Sequence, residues 1–306
     1  MEQPIDVQDV RVVHFGLGPL GAAIARTVAA RDGLTSVAAI DSATSREGRD
    51  LGDVAGLGVQ TGVVVDSNST RLHDIEADVV LYAPDGDLEA AITDLELLLE
   101  VGLNVVTVFP ELAYPADEDD ELPISIDTLA REAEVTALAL DPNDAAFGTI
   151  ALGLTSVCSS VEKLTIRRRS ASGAAGRLSL ADWARTLAGS LGWALDDLDE
   201  TEAEPGGTHR VVGSVEGSDV LVVELLTDAS APGLEIVLEG TPSLTLTVAG
   251  GTTDEQALAS LVVNAIPAVL TGDPGLYSLA DLPPIHSWTS LGLMPAGEED
   301  DDEDDE

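Results

Sequence analysis

The sequence holds a single lysine, Lys163, and its thirteen other basic residues are all arginines. These fourteen cations stand against 56 acidic residues, for a formal net charge of −42 over 306 residues. That balance disfavours nucleic acid and anionic membranes as partners, because both are bound through cationic side chains. One cysteine, Cys158, excludes an intrachain disulfide and a cysteine-based metal cluster. Aromatic residues make up only 3%, so the core has to be built from Val, Leu, Ile and Ala. No stretch approaches the roughly eighteen uninterrupted apolar residues of a membrane span. The opening MEQPIDVQDV lacks the basic and apolar regions of a signal peptide. The expectation is a cytoplasmic protein with neither a membrane nor a nucleic-acid partner.

The excess acid is partly a tail, Glu298 to Glu306, with nine acidic residues in a row. Residues 297–306 are expected to be a solvated, disordered end. The remainder of the chain is strongly acidic too. At molar salt the Debye length falls to about 3 Å and the self-repulsion is screened, so the composition points to the cytoplasm of a salt-accumulating organism. The rival reading is an acidic surface for a basic partner.

Hydrophobic residues form 44% of the chain and alternate between two periodicities. Strand-like runs at Arg11–Phe15, Leu34–Ile40, Asp78–Ala83, Asn104–Phe109 and Val135–Leu140 are separated by helical patterns after Leu20, at Leu88–Val101 and at Ile126–Glu134. Such alternation predicts an α/β unit, a Rossmann doubly wound parallel sheet, over residues 1–148. From 149 to 253 the pattern becomes α+β. A helix over Thr149–Ser160 and another over Leu180–Leu191 accompany strands at Val161–Arg169, Arg210–Val215, Val220–Asp228, Leu234–Glu239 and Leu244–Ala249. "EGSD" (Glu216–Asp219) marks a hairpin turn, so this sheet is expected to be mostly antiparallel. Residues 254–296 are expected to return to the first unit as one helix, Asp254–Leu270, followed by a surface wrap.

"VVHFGLGPLGAAIA" places Gly16, Gly18 and Gly21 in the spacing G-x-G-x-x-G. Gly16 permits the tight turn, Gly18 the approach of a pyrophosphate, and Gly21 close packing of helix on strand. Leu17, Pro19 and Leu20 complete the turn. Pro19 suits the first helical position, and the free N–H groups there hold phosphate. Asp41 ends the second strand twenty residues beyond Gly21, where a carboxylate bonds the ribose 2′-hydroxyl. That carboxylate repels a 2′-phosphate and favours NAD; Ser42, Thr44, Ser45 and Arg46 follow it and can accept the extra phosphate of NADP. The cofactor expected is therefore NAD or NADP, with NAD preferred.

In this fold ligands sit at the carboxyl ends of the strands. The loop Pro84–Asp87, after Ala83, and the loop "PELAYP" (Pro110–Pro115) both lie there. The latter carries Glu111 and Tyr114. A carboxylate beside a nicotinamide can move protons while hydride moves to or from carbon; the plainer reading of Glu111 is an exposed loop acid. His14 belongs to the first strand and to the core, His73 and His209 to the surface, His286 to a loop. No spacing resembles a metal site, and Cys158 reads as a buried structural thiol. Strand alternation puts Arg167 and Arg169 on one face and Arg168 on the other. Either they grip a substrate carboxylate in the interdomain cleft or they pair with acids at a subunit interface.

The chain resembles the 2,4-diaminopentanoate dehydrogenases and the related amine dehydrogenases, a group labelled dihydrodipicolinate reductase-like. The matching pieces are Gly16–Arg26, Gly48–Leu57, Ala77–Ala83, Gly102–Pro115, Leu154–Cys158, Val262–Pro267 and Pro274–Pro284, in the family's order. The resemblance implies an N-terminal Rossmann domain, a C-terminal domain that forms a homodimer or higher oligomer, and NAD(P)-linked oxidation of an amine or amino acid. It also implies that Glu111 is the acid/base residue. Where the family has an "NPGF"-like turn this chain reads "DPNDAAF" (Asp141–Phe147), which would bring Asn143 to the substrate. The segment after the arginine strand is shortened, and the paired histidines of true dihydrodipicolinate reductases are absent. Three functions fit: an amine dehydrogenase, an imine reductase of the same fold, or a nucleotide-binding protein without catalysis.

Overall fold

The computed structural model describes residues 10–113, 120–141, 144–169, 180–201, 207–226, 233–249 and 254–288. The acidic tail and the first nine residues lie outside them.

The first sheet has seven parallel strands in the order β13-β6-β5-β4-β1-β2-β3. Its strands are β1 (Val10–Phe15), β2 (Leu34–Ile40), β3 (Val65–Asp66), β4 (Val79–Tyr82), β5 (Asn104–Thr107), β6 (Thr136–Ala139) and β13 (Gly275–Tyr277). Without β13 this is the doubly wound order expected, and the strand order reverses between β1 and β4. Helices α1 (Pro19–Ala29), α2 (Leu51–Ala55), α3 (Leu88–Glu100), α4 (Pro110–Ala113) and α5 (Glu121–Glu132) follow their strands. Helix α5 starts five residues earlier than its apolar pattern, because Asp120 caps it by accepting the Leu122 N–H at 3.2 Å. Buried on both faces, the central strands read as near-continuous Val and Leu runs.

Helix α6 (Thr149–Thr155), which ends sooner than expected, leads into the second sheet. That sheet runs β12-β11-β7-β10-β9-β8 and comprises β7 (Ser160–Arg169), β8 (Asp197–Thr201), β9 (Thr208–Val215), β10 (Ser218–Leu226), β11 (Gly233–Thr241) and β12 (Leu244–Ala249). All pairs are antiparallel except β7 with β10. Glu216 and Gly217 close the expected hairpin with φ of 51° and 74°. Helix α7 (Leu180–Ser190) covers one face, burying Trp183, Ala184, Leu187 and Ala188 with Leu164, Ile166, Val223 and Ile236. On the other face one row crosses all six strands: Thr247, Glu235, Arg167, Glu224, Arg210 and Thr201. Within it Arg167 Nε and Nη1 donate to Glu224 at 2.8 Å and Glu235 at 3.0 Å, and Arg210 Nε donates to Glu224 at 3.2 Å. The row beside it is Thr245, Val237, Thr165, Val222, Val212 and Asp199.

Two expectations about the last third need correction. The single late helix is two, α8 (Asp254–Asn264) and α9 (Ile266–Thr271), because Pro267 in the first turn of α9 has no N–H to continue the ladder. The segment after Gly272 is not only a surface wrap: β13 adds a strand to the first sheet beside β6. Helix α8 packs on α1, burying Leu258, Leu261 and Val262 with Ile24 and Val28. No helix among the described residues is long and apolar enough to cross a membrane.

His14 lies within β1 at 1% exposure. Its Nε2 meets Ser36 Oγ at 2.8 Å, and Nδ1 is buried without a hydrogen-bond partner among the described residues. Burial pushes its pKa down from 6.5 to about 4. The unfolded chain therefore binds the extra proton between those values, and stability falls as pH drops from 6.5 towards 4. His14→Gln should remove roughly 3 kcal/mol of that loss at pH 4. Urea denaturation of both proteins across this range checks it: the wild type should show the steeper decline.

Candidate active site

The glycine turn leaves β1 at the point where the strand order reverses. Gly16 has φ +85°, and a Cβ there would run into the Ala83 carbonyl and Pro84. A Cβ on Gly21 would strike the Gly16 carbonyl. The turn is thus pressed against the end of β4, which only glycine permits at both positions. Gly18 is the N-cap of α1 and Pro19 its first residue, with no side chain capping the helix and no acid in its first turn.

Asp41 is buried at the end of β2. Its Oδ2 accepts the Leu17 N–H at 2.6 Å and Arg46 Nη1 at 2.8 Å, and its Oδ1 accepts the Ala43 N–H at 2.8 Å. Each carboxylate oxygen has two lone pairs, so Oδ1 keeps one for a ribose hydroxyl. Arg46, expected as a phosphate acceptor, is already bonded to Asp41. Its Nη1 also reaches Asp85 Oδ2 at 3.4 Å. A cavity of about 280 Å³ opens here, with Gly16, Asp41, Arg46, Ser67, Pro84 and Asp85 on its walls. The strained glycine, the uncapped helix end and the spare lone pair of Asp41 fit a dinucleotide. Asp85 belongs to the loop Pro84–Asp87 that the sequence places at the strand ends, where nothing in the sequence singled it out.

Glu111 lies on α4, at the carboxyl end of β5. It is half-buried, and its Oε2 is buried with no hydrogen-bond partner among the described residues. Against the plainer reading of an exposed loop acid, the residue stands on a short helix and is only partly exposed. Tyr114 and Asn143 lie outside the described residues. Around Asn143 the altered turn is tied down by Asp144, whose Oδ2 accepts the Asp141 N–H at 2.9 Å and whose Oδ1 accepts Trp183 Nε1 at 3.1 Å. Trp183 stacks edge-on against Phe147 at 4.8 Å. This tie between the two units rests on residues 39 apart, which no local pattern reveals.

A larger cleft of about 930 Å³ lies between the two units. Ala113, two residues past Glu111, is on its wall with Trp193, Asp196, Asp197, Ser278 and Asp281. Arg185 also lines it and is paired with Asp182 at 2.6 Å. The arginine strand has two readings, a grip on a substrate carboxylate in this cleft and pairing with acids, and Arg167 pairs with acids within its own sheet. Arg167 is on the sheet face turned away from α7, committed to Glu224 and Glu235, and strand alternation puts Arg169 on that same face. Arg168 is the buried one. Cys158 is half-exposed rather than buried, its thiol donating weakly to the Leu154 and Pro242 carbonyls. Among the described residues no group of three or more His, Cys, Asp or Glu is placed to hold a metal.

Comparison with known proteins follows the same lines. Residues 203–292 match the model of the 2,4-diaminopentanoate dehydrogenase C-terminal domain. The chain is 21% identical to the 2,4-diaminopentanoate dehydrogenase of Acetoanaerobium sticklandii, over 90% of its own length and 94% of that protein's. Its structure superposes on an amine dehydrogenase from Mycobacterium smegmatis with a TM-score of 0.74 and 20% identity, covering 92% of this chain and 98% of the other. A myo-inositol dehydrogenase from Lactobacillus casei, solved with NAD(H) and myo-inositol, gives a TM-score of 0.63 at 16% identity, with 89% of each chain covered. The chain has the fold of a Rossmann-type oxidoreductase and is similar along most of its length to a 2,4-diaminopentanoate dehydrogenase.

Proposed function

We propose that this protein is an NAD(P)-dependent dehydrogenase that transfers hydride at a C–N bond of a small amine or amino acid. The observation that carries the reading is the buried Oε2 of Glu111 at the carboxyl end of β5, which has no hydrogen-bond partner among the described residues. A buried carboxylate oxygen without a donor costs free energy unless something supplies one, and a substrate ammonium or water does so. The nicotinamide, when bound, takes the hydride from the substrate carbon. Glu111 takes the proton released from the substrate ammonium and passes it to solvent, then takes the proton of the water that adds to the iminium carbon and hands it to the nitrogen, and finally takes the hydroxyl proton as ammonia leaves. The products are a carbonyl compound and ammonia, and the same carboxylate returns the protons in the reverse direction.

Gly16, Leu17, Gly18, Pro19, Leu20 and Gly21 would hold the diphosphate, Asp41 the ribose, and Ala83 with Pro84 the face of the nicotinamide side. Asp41 favours NAD; Arg46 beside it keeps NADP admissible. Tyr114 and Asn143 are assigned to the substrate on the resemblance alone. Asp196, Asp197 and Asp281 on the large cleft favour a cationic amine over a neutral polyol. Residues 1–148 with 254–296 would form the cofactor unit and 149–253 the substrate unit.

A homodimer through the second sheet belongs to the same reading. Turn the row Glu235, Arg167, Glu224, Arg210 about an axis parallel to the strands, between β7 and β10, and each glutamate faces an arginine of the copy. The net charge supports work in a salt-rich cytoplasm.

Glu111→Gln should lower turnover by about 10²-fold or more while NADH affinity is retained. Steady-state assay on a panel of amines, with NADH titration by fluorescence, checks this; unchanged turnover removes Glu111 from the chemistry. Val237→Asp should convert the dimer to a monomer of native far-UV spectrum, read by sedimentation velocity. A wild-type monomer would end the dimer assignment.

A further inference from the structure

The carboxylate of Asp85 lies directly over the Cα of Gly18. A Cβ built on that glycine would have the three carboxylate atoms of Asp85 within 3.0 Å. Gly18 is the residue whose lack of a side chain lets a diphosphate approach the N-terminus of α1, so an anion of the protein's own already stands there. Asp85 is two-thirds exposed, and its polar contact among the described residues is Arg46 Nη1 at 3.4 Å. The side chain is thus free to turn, but its backbone is not. On one side the Ala83 N–H donates to the Phe15 carbonyl at 2.8 Å. On the other, Gly86 bends the chain at φ +114°, and Asp87 caps α3 through the Ala90 N–H at 3.0 Å. Wherever its carboxylate turns, Asp85 stays beside the phosphate position.

We infer that Asp85 is an affinity-determining residue for the cofactor, and that it sets how cofactor binding responds to salt. This rests on the nucleotide reading of the glycine turn given above. Binding exchanges one anion for another over the same helix end: the diphosphate takes the place above Gly18, and the Asp85 carboxylate rotates away, past Arg46, which is shared with Asp41. The displaced charge remains within a few ångströms of the diphosphate. At low ionic strength the two repel. At molar salt, where the Debye length is about 3 Å, that repulsion is much weaker. Without Asp85 the dominant charge effects at the turn are the helix end and Arg46, both attractive, and salt weakens attraction.

The test is fluorescence titration of NADH and NADPH into the full-length wild type, Asp85→Asn and Glu89→Gln. Glu89, exposed in the first turn of α3, gives a variant that loses the same charge nearby without facing Gly18. Titrations run at the lowest KCl concentration that keeps each far-UV spectrum native, and again at saturating KCl. Asp85→Asn should bind about tenfold tighter at the lower salt, with the advantage shrinking as salt rises, while Glu89→Gln matches the wild type. Equal or weaker binding by Asp85→Asn overturns the inference, as does an equal gain in Glu89→Gln. If no variant binds either nucleotide at any salt, the nucleotide reading falls and takes this with it.

Discussion

The carboxylate of Asp41 holds the cofactor half together. It ends β2, receives the Leu17 N–H from the glycine turn, the Ala43 N–H from its own loop and the Arg46 guanidinium. A charged acceptor buried at a strand end is costly unless such donors converge on it. Here they join the turn after β1, the end of β2 and the loop beyond it into one rigid corner. The positions of Gly16 and Gly18, and through Gly16 the contact with the end of β4, follow from that corner. The Asp85 carboxylate is linked to the same corner through Arg46.

Much of this was legible in the sequence because it is written in short-range pattern. The ends of β2 and β12 coincide with the apolar runs that predict them, and the glycine spacing marked the tight turn between β1 and α1. What escaped is of two kinds. Short elements carry too few residues to show a period: β3 has two, β13 three, α4 four. Strand β8 hides for another reason, since Asp197, Asp199 and Glu200 give an edge strand the composition of a loop, which is how edges are kept from pairing. The second kind is tertiary. Asp85 over Gly18, Trp183 on Asp144 and Arg167 between two glutamates are contacts between distant segments. The arginines were conspicuous as a cluster in an acidic chain, yet their partners come from β10 and β11. Alternation gave the face correctly and left open which face looked at the cleft.

Acidity has more than one local meaning in this chain. In the row across the second sheet, glutamates alternate with arginines and the charges are balanced. On the large cleft, aspartates outnumber the one arginine, which is itself paired. At Glu111 a single carboxylate oxygen is buried without a hydrogen-bond donor among the described residues.

Strand β13 has a consequence for how the molecule is made. The first sheet is not finished by the first half of the chain: its edge beside β6, and the cover over α1 supplied by α8, come from residues beyond 254. The second sheet is in effect an insertion into the first unit. During synthesis the nucleotide-binding half must wait, with Ile24 and Val28 uncovered, until more than a hundred further residues have left the ribosome. The insertion can complete its hairpins meanwhile, since its pairings are mostly between neighbours in the chain. Its closure then brings the returning helices to the half that began first, so the earliest residues made are among the last to be secured.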